Sequence, residues 1–124
     1  MMYKIIIYHK CLDKDNFFII LTENINLKIY EIILKTICDF ENQNICKCYK
    51  RFSLVNSELP NIYIANKYGG KKDLPPIYSD LTLGNIKYVS KLNIFYFYLD
   101  KLMYHYEKNI LLKDYFYHKK NVNI

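Results

Sequence analysis

A chain of 124 residues with 52% apolar content is one domain's length, enough to bury a core without disulfide or metal staples. Its formal charge is +6, yet Arg51 is its single arginine, so the bidentate phosphate and guanine contacts typical of nucleic-acid readers are not favoured. No 18-residue apolar window predicts a membrane span, and Lys4 interrupts the start too early for a secretory signal.

Tyrosine supplies 14 residues and tryptophan none, and Lys, Asn and Ile are abundant, a bias that an AT-rich coding sequence produces by itself. The four cysteines lack the spacing of a disulfide framework, so a reducing, intracellular compartment is expected.

Tyr3–His9 and Phe17–Thr22 are β-branched and apolar runs, and Lys10–Asn16 between them is polar and turn-forming. Together they predict a hairpin with a slightly long loop. Asn24-Ile-Asn26 offers a side-chain cap, and a helix is predicted from there to about Glu41. Lys28, Glu31, Lys35 and Asp39 fall on one stripe of it. Tyr30, Ile33, Ile37 and Phe40 fall on the other, flanked by Ile29 and Leu34. So wide an apolar stripe suits a helix laid across a sheet.

Ile45–Val55 reads as a strand with one wet face, because Lys47, Lys50 and Arg51 punctuate it. Asn56–Asn61 reads as a turn, Ile62–Ala65 as a short strand, and Asn66–Pro76, with Gly69-Gly70 and Pro75-Pro76, as a loop. A last strand runs from Lys87 or Leu92 to Leu99. Its end, Phe95–Leu99, is apolar or aromatic throughout, which predicts burial on both faces. Residues 1–100 therefore read as one domain. Residues 101–124, with Leu102, Met103, Tyr106 and Ile110 at helical spacing and a basic end at His118–Lys120, read as a C-terminal helix or tail.

Hairpin, helix, further strands and a long apolar last strand form the order of an α+β, β-grasp (ubiquitin-like) fold, a mixed sheet with one main helix packed across it. The first and last strands would pair in parallel at its centre, which accounts for the continuous apolar character of Ile5–Ile7 and Phe95–Phe97.

Cys46-Lys-Cys48 and His9-Lys-Cys11 are the candidate metal ligands. On strands, residues two apart face the same way, so each pair can present two ligands to a common zinc. A CxC pair on a strand lacks the knuckle turn of the usual zinc spacings, and small cysteines mostly pack. Neither metal nor cofactor is expected on that ground. Cys11 stands just after the first strand, as a redox thiol would, but no CxxC partner follows it. A cysteine nucleophile paired with His9, His105 or His118 has no sequence feature to bring it together. Asp13 and Asp15 belong to a turn, and Gly69-Gly70-Lys71-Lys72 lacks the phosphate-loop frame. No catalytic constellation assembles, so the chain is expected not to be an enzyme.

Between residues 47 and 72, Lys47, Lys50, Arg51, Lys67, Lys71 and Lys72 face only Glu58 in opposing charge, with Tyr49, Phe52, Tyr63 and Tyr68 interleaved. This pattern suits either a base-stacking surface or, more simply, a solvated strand face whose aromatics turn inward. The expected partner site is Lys50, Arg51, Lys67, Tyr68, Lys71 and Lys72. It would take an acidic or extended peptide by electrostatic steering or strand addition at an open edge. Direct nucleic-acid contact stays open, and no membrane role is expected.

Ser79-Asp-Leu-Thr-Leu83, then Lys87-Tyr88, then an apolar strand from Asn93 resemble the eighteen-kilodalton Sin3-associated polypeptide family. Phe52-Ser-Leu-Val55, Ile62-Tyr-Ile64, a Gly/Lys loop and the helix opening Asn26–Ile33 recur in the same order. The resemblance spans about residues 3–99 and is most specific over 52–97. It departs at Leu74-Pro-Pro-Ile77, in a shorter first hairpin, and after Leu99, where the family's end is Arg/Pro-rich. It implies a non-catalytic, ubiquitin-like nuclear adaptor. Its partners would be Sin3-type histone-deacetylase corepressors and, in splicing and exon-junction assembly, Acinus-like and RNA-binding factors. The alternatives are an autophagy-type ubiquitin-like modifier, against which stands the lack of any glycine after Gly84, and a small viral or parasite inhibitor of a host protein.

Overall fold

The computed structural model describes residues 1–50, 52 and 58–101. The fold is α+β, with a four-stranded mixed sheet and one main helix. Strands β1 (Tyr3–Tyr8) and β2 (Phe18–Thr22) form the expected antiparallel hairpin. Helix α1 spans Ile29–Asn42, and β3 (Ile62–Ile64) and β4 (Ile94–Leu99) complete a sheet of order β2-β1-β4-β3. β1 and β4 run parallel at its centre, with Ile5 opposite Phe95 and Ile7 opposite Phe97.

Alternation along the strands divides the sheet into two faces. Tyr3, Ile5 and Ile7 join Ile20, Ile62, Phe95, Phe97 and Leu99 in one cluster with Ile29, Ile32, Ile33, Ile37 and Phe40 of α1. The opposite face holds Ile6, Tyr8 and Ala65, with Phe17, Ile94, Tyr96 and Tyr98 packed around them. Burial of β4 is therefore not complete on both sides. Phe95, Phe97 and Leu99 are buried, while Ile94, Tyr96 and Tyr98 are half-buried. A tyrosine can cover the sheet with its ring and keep its hydroxyl wet, and the Tyr8 and Tyr96 rings stack with centroids 6.5 Å apart.

The helix begins later than the Asn24–Asn26 cap predicted. The Asn24 side-chain oxygen instead accepts the Asn26 N–H at 2.9 Å, closing a turn before the helix. Lys28 is the residue at the N-cap, and its N–H donates to the Glu31 carboxylate at 2.9 Å. Two orphan donors of the first turn are satisfied by a distant segment. The Ile29 N–H reaches the Leu81 carbonyl at 2.8 Å, and the Tyr30 N–H reaches that of Ser79 at 2.9 Å. On the exposed side, Lys35 pairs with Asp39 at 3.5 Å, as their stripe implied.

The far end of α1 overturns the described first half, residues 45–50, of the strand expected at Ile45–Val55. Asn44 adopts φ 52°, the Ile45 N–H returns to the Phe40 carbonyl at 3.0 Å, and the Asn44 N–H to that of Glu41 at 3.2 Å. This is a Schellman stop with asparagine in the left-handed position. Ile45 and Cys46 then run without regular structure, Lys47 bends, and residues 48–50 form a turn with Lys50 N–H on the Lys47 carbonyl at 3.2 Å. Cys48 and Tyr49 are both buried, which consecutive residues of a half-wet strand cannot be. Arg51 and residues 53–57 lie outside the described residues, as do the predicted helix or tail positions from 102 onward.

β4 starts at Ile94, not at Lys87. Gly84–Val89 forms a 3₁₀ segment, and Leu92 and Asn93, at φ 56° and 62°, reverse the chain into the strand.

Candidate functional site

Four of the expected partner-site residues share one loop. Lys67, Tyr68, Lys71 and Lys72 are exposed on the turn that follows β3. Asn66 shapes it, its side-chain oxygen accepting the N–H groups of Tyr68 at 2.9 Å and Gly70 at 3.0 Å. Gly69 is required there. Its φ is +88°, and an added Cβ would stand 3.1 Å from the Tyr8 ring. The Tyr8 hydroxyl donates to the Lys67 carbonyl at 2.9 Å, tying the loop to the helix-free sheet face. Lys71 sits over the Tyr63 ring at 4.1 Å, and Lys67 over Tyr68 at 5.1 Å. Lys50 belongs to a different segment, exposed on the turn after α1, and Arg51 lies outside the described residues.

The densest chemistry lies elsewhere, at the end of the sheet where β1 and β4 finish. His9 and Cys11 follow β1, Cys46 and Cys48 follow the Asn44 stop, and their ligand atoms all lie within 4.8 Å of one another. Cys11 Sγ is 3.4 Å from Cys48 Sγ, and Cys46 Sγ is 3.6 Å from His9 Nε2. Cys46 is half-buried, Cys48 buried and Cys11 exposed, while Cys38 on α1 is exposed and outside the group.

His9 is 2% exposed, so its ring is held rather than rotating freely. Its Nδ1 lies 2.8 Å from the Leu99 carbonyl, which can only accept. Nδ1 therefore carries the proton, and Nε2 presents its lone pair to the thiols. Tyr49, 1% exposed, donates its hydroxyl to the Asp100 carbonyl at 2.7 Å and places its oxygen 3.3 Å from His9 Nδ1. Rings of Phe40 and Tyr49 flank the imidazole, each with its centroid 5.4 Å away.

In the absence of a positive charge these surroundings oppose ionisation. Burial pushes the Cys46 thiol up, and it pushes Cys48 up to about 12, with Cys11 adding to both shifts. Burial lowers the His9 pKa, against the pull of the Leu99 hydrogen bond. Burial also raises the Tyr49 phenol. Buried thiols held neutral in this way are poor nucleophiles. His105 and His118, weighed from sequence as nucleophile partners, lie outside the described residues.

Sequence reasoning named all four members of the group and placed each pair on a strand. The structure puts neither pair on a strand, since His9 and Cys11 follow β1 into a turn and Cys46 and Cys48 follow the Asn44 stop, and it brings the two together across 37 positions of chain. The Leu99 carbonyl beside the imidazole was not found from sequence, because a backbone acceptor has no residue signature, and Tyr49 was read there only as an inward-turned aromatic. The chain matches no protein-family model, no curated protein and no solved structure.

Proposed function

We propose that the chain is a non-catalytic, protein-binding adaptor on a β-grasp domain of the eighteen-kilodalton Sin3-associated polypeptide type. The observation that carries this reading is the path of the chain through the sheet. The order is β2-β1-β4-β3, with the first and last strands parallel at the centre and α1 packed on one face. The segment most specific to the resemblance has a structural part in that path. Ser79 and Leu81 accept the first donors of α1, and the Leu83 N–H donates to the Leu27 carbonyl at 3.0 Å. Leu83 itself is buried in the core.

In such an adaptor the chemistry is recognition. Lys67, Tyr68, Lys71 and Lys72 offer a cationic loop over the tyrosines of the helix-free face, and Lys50 with Arg51 adds charge after the helix. Charge of this kind steers an acidic partner toward its dock. Among the described residues β2 pairs only with β1, which leaves an edge for an extended peptide to add a strand. By resemblance the partners are nuclear: a Sin3-type corepressor, or Acinus-like and RNA-binding splicing factors.

The test is affinity capture of the tagged full chain from its native cell, followed by mass spectrometry. Recovery of corepressor or splicing subunits, lost on Lys67→Glu with Lys71→Glu, supports the adaptor. Recovery of activating and conjugating enzymes, or a covalent ladder on the chain, replaces it with the modifier reading.

A further inference from the structure

We infer that His9, Cys11, Cys46 and Cys48 form a structural zinc site, a closed Cys₃His tetrahedron that ties the end of the sheet to the turn after α1. Zinc binds thiolate sulfur at about 2.3 Å and imidazole nitrogen at about 2.05 Å. At tetrahedral angles these bonds separate two sulfurs by about 3.8 Å and a sulfur from the nitrogen by about 3.6 Å. The chain places Cys11 and Cys48 sulfurs 3.4 Å apart, and Cys46 sulfur 3.6 Å from His9 Nε2. The widest separation in the group, at most 4.8 Å, closes to a coordination sphere with shifts of about 1 Å.

Three further features point the same way. The imidazole is already in the ligating tautomer, with Nδ1–H spent on the Leu99 carbonyl, the usual outer-sphere support of a zinc histidine. Soft thiolates exclude calcium and magnesium as the preferred ion, and four protein ligands leave no open position for substrate. Finally, the Cys46-Lys-Cys48 pair is not on a strand. Lys47 is a bend and Cys48 opens a turn that runs to Lys50, so the flat-strand geometry that counted against the pair is absent. Packing alone would not need four such atoms to converge from two segments.

The proposal is independent of the adaptor reading, and its test reads metal directly. The full chain is purified under reductant and its metal measured by mass spectrometry. The metal-free chain is then titrated with cobalt(II). One zinc per chain, and a tetrahedral thiolate absorption spectrum with cobalt that added zinc abolishes, are expected. Cys11→Ser, at an exposed position, loses most of the bound zinc, whereas Cys38→Ser keeps it. His9→Cys, which preserves four ligands, keeps cobalt binding with a spectrum shifted toward four thiolates. A reduced wild-type chain that carries no zinc and takes up neither ion overturns the site. So does unchanged zinc content in Cys11→Ser, or a Cys11–Cys48 disulfide as the resting form under reductant.

Discussion

Leu83→Ala measures whether the Ser79–Leu83 segment belongs to the core rather than to a contact surface. Leu83 is 0% exposed and lies in the main cluster with the helix and sheet residues. Truncation removes the transfer free energy of its buried carbons and leaves a cavity whose cost depends on how far the walls collapse. Collapse is restricted here. The Leu83 N–H is held by the Leu27 carbonyl at 3.0 Å, the Gly84 N–H by that of Ile25 at 2.8 Å, and the Ile29 N–H by that of Leu81 at 2.8 Å. The cost therefore stays clear of the low end and falls near the middle of the usual range, about 3–4 kcal/mol. A domain of this size holds about 5–15 kcal/mol in total, so the variant is weakened but still folds if the parent is not marginal. With a urea m-value of about 1.5 kcal/mol/M, the midpoint falls by about 2–2.7 M. Circular dichroism during urea unfolding reads this directly, with Tyr88→Ala, at 82% exposure, as a control that stays within about 0.5 kcal/mol. A loss below about 1 kcal/mol for Leu83→Ala would refute the core assignment and leave the segment free to be a partner surface.

Gly69→Ala forces a side chain onto a φ of +88° and against the Tyr8 ring, and it should cost about 1–2 kcal/mol in the same assay. At Leu92, 87% exposed with φ 56°, asparagine tolerates the left-handed backbone better than leucine. Leu92→Asn should therefore raise stability by about 0.5 kcal/mol. Lys67→Glu with Lys71→Glu loses two exposed cation–π contacts, about 1–2 kcal/mol together, so the chain should stay folded with a modestly lower melting temperature while capture of an acidic partner weakens. Stripping zinc from the loaded chain with a chelator should lower its melting temperature by at least about 10 °C, each kcal/mol being worth about 4–8 °C in a domain of this size. Cys11→Ser should show little of that sensitivity.

The elements that sequence reasoning recovered are those that depend on local periodicity and on what flanks it. Tyr3–Tyr8, Phe18–Thr22 and Ile62–Ile64 stand out as short β-branched or aromatic runs between turn formers, and Ile29–Phe40 repeats apolar residues at helical spacing. The misreading at Ile45–Val55 has one physical origin in the part described. Alternation reports which residues avoid water, and turns can produce it as well as a strand can. The direction of the chain there is set by Asn44 entering the left-handed region, a backbone event that several residue types permit. The start of β4 was blurred for the same reason, since Leu92 adopts a positive φ that its side chain does not advertise. His9, Cys11, Cys46 and Cys48 were legible as types and spacings that could share one zinc, but that they do meet was not legible, because their meeting depends on the path of three elements.

That path also explains why the cluster forms where it does. A parallel β1/β4 pair with Tyr8 opposite Tyr98 brings the residue after β1 alongside the last residue of β4, so the Leu99 carbonyl falls on His9 Nδ1. Helix α1 crosses the sheet and ends over the same rim, where the Phe40 ring lies 5.4 Å from the His9 ring and 5.5 Å from that of Phe18. The Schellman stop at Asn44 then turns the chain back within four residues and delivers Cys46 and Cys48 onto His9 and Cys11. The segment so delivered has little regular hydrogen bonding of its own, so its position must come from buried side chains or from a cross-link. Tyr49 supplies the first through the core and the Asp100 carbonyl. A zinc ion would supply the second, closing a covalent loop between the hairpin and the helix end. The two supports separate in experiment. Tyr49→Phe loses one hydroxyl hydrogen bond, about 1 kcal/mol, and keeps all four ligands, whereas Cys11→Ser loses the ion and leaves the Tyr49 contacts in place.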